Sequence, residues 1–125
     1  MSVKNIAEKL VGYCNAGTPE RAVSELYAEN IVSIEPPADS NADQAGAVVE
    51  GLSALLEKHA WWEANFEVHS SVAEGPYLGH SEHQFVVKFV LDATPLGGER
   101  QHMEEVGVYT IENDKVVREE FMYLS

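Results

Sequence analysis

Residues 15–37 read NAGTPERAVSELYAENIVSIEPP, and the order of signals within them decides the architecture. Asn15-Ala16-Gly17 ends a preceding helix, with Gly17 free to take the left-handed cap conformation. Thr18-Pro19-Glu20 supplies an N-cap residue, a first-turn proline and a first-turn acid, so a second helix begins at once. Ala22, Val23, Leu26 and Tyr27 recur at the spacing of one helical face. From Asn30 to Glu35 the pattern changes to a short strand, stopped by Pro36-Pro37, which cannot donate to a ladder. Two helices feeding a strand that proline terminates place the Glu35 carboxyl at a strand end. There it is either a working acid or base, or an anion that accepts backbone hydrogen bonds.

Upstream, Val3, Ile6, Ala7, Leu10, Val11 and Cys14 predict an amphipathic helix over 3–15. Downstream, residues 38–47 (ADSNADQAGA) are small and polar and read as a loop. A third helix follows Gly51, with Leu52, Leu55, Leu56 and His59 on one face and Trp61-Trp62 near its end. Strand patterns then take over: 66–74, a turn at 75–79, a long strand over 82–93 and a turn at 94–98. A further strand spans 100–111, Asn113-Asp114 makes a tight hairpin, and 116–124 is the last strand. Helices followed by a strand meander predict a single α+β domain over residues 1–125, with three helices packed on a curved, mainly antiparallel sheet. Phe85, Val87, Phe89 and Leu91 alternate with Val86, Lys88, Val90 and Asp92, so apolar residues occupy both faces of that strand. Helices cover one face; a second copy of the chain is expected on the other, making a homodimer through the outer sheet face.

The totals narrow the function classes. A net charge of −13 over 125 residues argues against nucleic acid and against an anionic membrane surface, since both need clustered Lys and Arg. No apolar run reaches the roughly 18 residues of a membrane span, and the start, MSVKNIAEKL, lacks the features of a secretory signal. The single cysteine, Cys14, reads as a buried helix residue and makes a reducing cytoplasm the expected location. His59, His69, His80, His83 and His102 show no zinc-type ligand spacing, so no metal is expected. The sequence contains no G-x-S-x-G, P-loop or dinucleotide fingerprint, and no cofactor is expected.

Three segments carry a family resemblance: residues 15–37, VVEGLSALLEK at 48–58 and VYTIENDKVVREEFMY at 108–123. Together they resemble the nuclear transport factor 2-like superfamily, which includes ketosteroid isomerase and SnoaL-like polyketide cyclases. The resemblance implies a cone-shaped, cystatin-like fold with a pocket between helices and sheet. It also puts Glu35 where ketosteroid isomerase keeps an aspartate base before a proline. That enzyme's helix-one tyrosine falls near Lys9, with Tyr13 one turn later, and its protonated aspartic acid falls at about Gly107. A tyrosine and a neutral acid form the oxyanion hole of that mechanism, so this sequence holds a base without the matching donors.

If Gly107 faces the pocket, alternation brings Met103, Glu105 and Tyr109 to the same face, and Phe121 brings Glu119 and Tyr123. The expected lining is Glu35, His69, Phe85, Val87, Glu105, Tyr109, Phe121 and Tyr123, closed by Tyr13 and by Trp61 or Trp62. Glu35, His69 and Glu105 are the acid–base candidates, with His69 the expected partner of an inward Glu105. Tyr13, Trp61, Trp62, Phe85, Met103, Tyr109, Phe121 and Tyr123 are the ligand-binding candidates. The plainer readings are a satisfied sheet histidine at 69, helix-end packing for the tryptophans, and core roles for the aromatics. The leading expectation is a small-molecule-binding protein of SnoaL-like type. The alternatives are a cofactor-free isomerase, cyclase or lyase using Glu35 or His69, and a protein-interaction module.

Overall fold

The computed structural model describes residues 2–36 and 48–123. Ser2 opens helix α1 (Val3–Asn15), its hydroxyl accepting the Asn5 N–H at 3.2 Å. Ile6, Ala7 and Leu10 form the buried face of α1. Gly17 takes φ 77°, and α2 (Pro19–Leu26) follows with proline in its first turn. Tyr27, expected on the face of this helix, begins strand β1 (Tyr27–Ile34) instead; its backbone is extended and its ring buried. A short strand β2 (Val48–Glu50), not expected from sequence, precedes α3 (Leu52–Asn65).

Four long strands complete the chain: β3 (Phe66–Leu78), β4 (Gln84–Pro95), β5 (Gln101–Glu112) and β6 (Lys115–Tyr123). The turn expected at 75–79 is absorbed into β3, because pairing to β4 resumes after a register shift between Glu74 and Tyr77. The hairpin at Asn113-Asp114 forms as expected, both residues taking positive φ. The six strands are ordered β2-β1-β6-β5-β4-β3, all neighbours antiparallel except β1 and β6, which run parallel. The expected α+β architecture is therefore what the chain adopts, and no described helix is long and apolar enough to cross a membrane.

Register fixes which side chains share a face. Phe85↔Tyr109, Val87↔Gly107 and Phe89↔Glu105 pair across β4 and β5, and Gly107↔Phe121, Tyr109↔Glu119 and Glu105↔Tyr123 pair across β5 and β6. These residues stand on the inner face, where Phe85, Val87 and Tyr109 join Ile6, Leu10, Leu26 and Leu55 in the core. Each fully buried aliphatic side chain in that core contributes roughly 1.5–3 kcal/mol. The edge strand β3 is tied to α1 through Asn15, whose amide donates to the Ala73 carbonyl at 2.9 Å and accepts the Ala73 N–H at 2.8 Å. Val86, Val90, Val106, Val108 and Met122 stand on the opposite, outer face, with the ion pair Lys88–Glu104 at 3.2 Å among them.

Candidate functional site

Three acids approach one another from the inner face. Glu119 lies deepest and is fully buried, accepting from the Tyr27 hydroxyl at 2.5 Å and from the Ser33 hydroxyl at 2.8 Å. Burial pushes its carboxyl above the ordinary range, and these two donors oppose the rise. Parallel pairing sets Ser33 beside Glu119, and two residues further along β1 alternation keeps Glu35 on the same side. Glu35 is half-buried and pairs with Lys58 of α3 at 3.1 Å.

Glu105 is the third. It stands on β5 between Phe89 and Tyr123 and makes no ion pair or hydrogen bond with another described side chain. Burial first, and then repulsion from Glu35, hold its carboxyl up at about 7; Lys58 opposes the rise and Glu119 adds to it. Tyr123, half-exposed at the same end, is pushed up to about 12 by burial and by both Glu35 and Glu105. The wall around these groups is aromatic: Phe89 and Phe121 lie 6.2 Å apart, and Phe121 meets Tyr109 edge-on at 6.3 Å. Tyr109 in turn stacks on Phe85 at 4.9 Å, filling the deep part of the inner face.

Gly107 explains why no acid stands at its position. A Cβ there would lie 2.8 Å from the Tyr109 ring and 3.0 Å from the Phe121 ring. The two rings occupy the space that an acidic side chain would need. Two of the hydroxyls near the acids are committed as well, since Tyr27 and Ser33 both serve Glu119. The arrangement sets a carboxyl with a raised proton affinity on an apolar wall, beside the Glu35–Lys58 ion pair.

Several expected members stand elsewhere. His69 does not meet Glu105: its Nε2 lies 2.7 Å from the Thr94 hydroxyl, on the outer face with Asp92. A register shift between Val68 and Ser70 reverses the alternation that had aimed it inward. Tyr13 does not close the cone, because its hydroxyl donates to Glu25 while Arg21 lies 4.9 Å over its ring. That Tyr13 cluster joins α1 to α2, with Lys9 completing it at 3.2 Å from Glu25. Trp62 stacks on Phe66 at 4.0 Å and Trp61, 59% exposed, meets the same ring edge-on, so both serve the end of α3. Met103, Phe85, Tyr109, Phe121 and Tyr123 do share the inner face with Glu105. Cys14 is half-buried, and its thiol is pushed up to about 11 by burial, which leaves it a poor nucleophile.

Sequence reasoning missed Lys58, Tyr27 and Ser33. A lysine inside a helix gives no signal that it reaches a strand end 23 positions away, and Ser33 is an unremarkable strand residue until Glu119 is placed beside it. Two surface clefts, of ≈ 710 and ≈ 320 Å³, lie away from the acids. The larger is formed by Ser2, Val3, His83 and the β5–β6 hairpin, the smaller by the end of α3 and the β4–β5 turn. Among the described residues no cluster of three His, Cys, Asp or Glu side chains could hold a metal ion.

The SnoaL-like domain profile matches residues 1–123. The chain belongs to the SnoaL-like family. Within the nuclear transport factor 2-like superfamily, it is similar to a provisionally named SnoaL-like polyketide cyclase from Mesorhizobium loti. The two share 36% identity over 98% of this chain and 100% of that one, with a TM-score of 0.87. More distant neighbours show the fold alone. One is a provisionally named isomerase from Bacillus subtilis, 18% identical over 97% of this chain and 85% of its own, with a TM-score of 0.71. Another is a computationally designed 17-OHP binder, 16% identical over 99% and 95%, with a TM-score of 0.68. No functionally curated protein matches significantly. The SnoaL-like fold thus hosts both a protein named as an isomerase and a designed binder, and the residues of the site must distinguish the two uses.

Proposed function

We propose that this SnoaL-like protein holds a small, largely apolar molecule against the inner sheet face and exchanges a proton with it through Glu105. The observation that carries the reading is Glu105 itself: without an ion pair or hydrogen bond to another described side chain, walled by Phe89, Phe121 and Tyr123, and pushed up to about 7 by burial. A general acid–base group works best when its proton affinity matches the ambient pH. Glu35, fixed by Lys58, is the companion carboxylate and the source of part of that tuning. His69 has no part in this reading.

The substrate class is a carbonyl compound with an acidic neighbouring C–H, and the reaction class a cofactor-free isomerisation, cyclisation or lyase step. The test follows α-proton exchange of 2-tetralone in D2O by NMR. The protein accelerates exchange over buffer, and Glu105→Gln lowers the rate at least about 100-fold. Equal rates for wild type and Glu105→Gln remove the reading.

A binder without turnover is the second reading. It is favoured by one observation: the Tyr27 and Ser33 hydroxyls are committed to Glu119 and Gly107 has no side chain, so a nascent enolate finds no free donor among them. Under it 2-tetralone binds without exchange. In either case we place the protein as a cytoplasmic homodimer joined through the outer face. Its single cysteine and the apolar Val86, Val90, Val106, Val108 and Met122 support that placement.

A further inference from the structure

The chain has eight Lys and Arg residues, all among the described positions. Seven are engaged away from the acids. Lys4 pairs with Glu8, Lys9 with Glu25, Lys88 with Glu104, Arg100 with Asp92 and Arg118 with Glu120. Arg21 lies over Tyr13, and Lys115 donates to the Glu25 carbonyl. Lys58 remains, its side chain 23% exposed, as the one cation serving Glu35, Glu105 and Glu119 together.

We propose that Lys58 is a positioning residue of this site: it fixes Glu35 at the end of β1 and balances the charge that Glu105 faces. The inference rests on the reading of Glu105 as the proton-moving group. The groups that face Glu105 are Glu35 beyond β1, Lys58 on α3, Tyr109 on its own strand β5, and Glu119 and Tyr123 on β6. Two of these, Glu35 and Glu119, repel its carboxylate, and Lys58 alone attracts it. Its ammonium also bonds Glu35 directly, so its removal frees one carboxylate to move while leaving the other less able to ionise. At neutral pH, losing Lys58 turns a half-ionised Glu105 into a largely protonated one.

The decisive experiment titrates Glu105 by carbon-detected NMR on selectively labelled protein. In Lys58→Met the Glu105 midpoint rises by about one pH unit, and in Lys58→Arg, which keeps the charge, it stays within roughly 0.3 unit of wild type. The pH profile of 2-tetralone exchange moves upward with it, a change that loss of a merely structural contact does not produce. An unmoved midpoint in a Lys58→Met protein with a native-like amide spectrum overturns the proposal. Should that variant not fold, Glu35→Gln is compared with Glu35→Gln/Lys58→Met, in which no ion pair is left half-made. The double variant then titrates about one unit above the single one, and equal midpoints overturn the proposal. If wild type exchanges no 2-tetralone proton, the proposed reaction falls, while the titration still decides the role of Lys58.

Discussion

Glu105→Gln is expected to make the protein more stable at alkaline pH and to leave it unchanged at acidic pH. The sign follows from linkage. A carboxyl at about 7 in the folded chain and at the ordinary 4.5 when unfolded binds its proton more tightly in the native state. Below pH 4.5 both states are protonated and the group has no effect. Between 4.5 and 7 the unfolded state sheds its proton first, so native stability falls as pH rises, and above 7 the full penalty is present. At about 1.4 kcal/mol per pH unit, the interval from 4.5 to about 7 caps the penalty at about 3.5 kcal/mol. Glu105 is only part-buried, and solvent screening reduces this to about 2 kcal/mol. Glutamine preserves the shape and carries no charge, so urea unfolding at pH 4, below both proton affinities, should nearly superimpose the two proteins. At pH 8.5 the variant's midpoint should shift upward by the equivalent of about 2 kcal/mol. Glu35 and Glu119 are common to both proteins and largely cancel in the comparison. A stability difference that stays flat from pH 4 to 8.5 refutes the assignment of Glu105 as the strained acid.

Three further outcomes are expected. Glu119→Ala strands the Tyr27 and Ser33 hydroxyls in the interior and should cost about 3 kcal/mol by chemical denaturation, against no more than about 0.5 kcal/mol for a surface control such as Glu112→Ala. Gly107→Ala drives a methyl into the Tyr109 and Phe121 rings and should lower stability by about 1–3 kcal/mol, read as a fall in melting temperature; an unchanged value would mean the rings shift freely. Val106→Glu places a charge in the middle of the outer face and should convert dimer to monomer in light scattering, and a wild type that is itself monomeric at micromolar concentration counts against the dimer.

Much of this was legible beforehand because period-2 alternation needs only one anchor per strand. With Gly107 inward, Met103, Glu105 and Tyr109 follow on its strand, and with Phe121 inward Glu119 and Tyr123 follow on the next; the observed register places all of them together. Alternation fails wherever a strand carries an extra residue, which is why His69 turned outward at the shift between Val68 and Ser70. Tyr13 was misjudged for a different reason: helical spacing gave its face, but not that α2 would present Glu25 and Arg21 to it. Tyr27 has helical spacing from Val23, yet its hydroxyl reaches Glu119, a partner 92 positions away. Local pattern cannot foresee a tertiary hydrogen bond of that span, and the same holds for Lys58 with Glu35.

The two rings crowded over Gly107 also bear on how this chain could change its chemistry. A single substitution that installs an acid at 107 meets Tyr109 and Phe121 before it meets any ligand. The acid would have to arrive after, or together with, a smaller residue at 109 or 121. Shrinking Tyr109 first opens a hole against Phe85 in the core. Installing the acid first and shrinking Tyr109 first are thus both unfavourable, so the order of mutations matters and the path is epistatic. Diversification of this scaffold toward an oxyanion-hole enzyme is therefore steered toward other inward positions, and 105 already carries an acid.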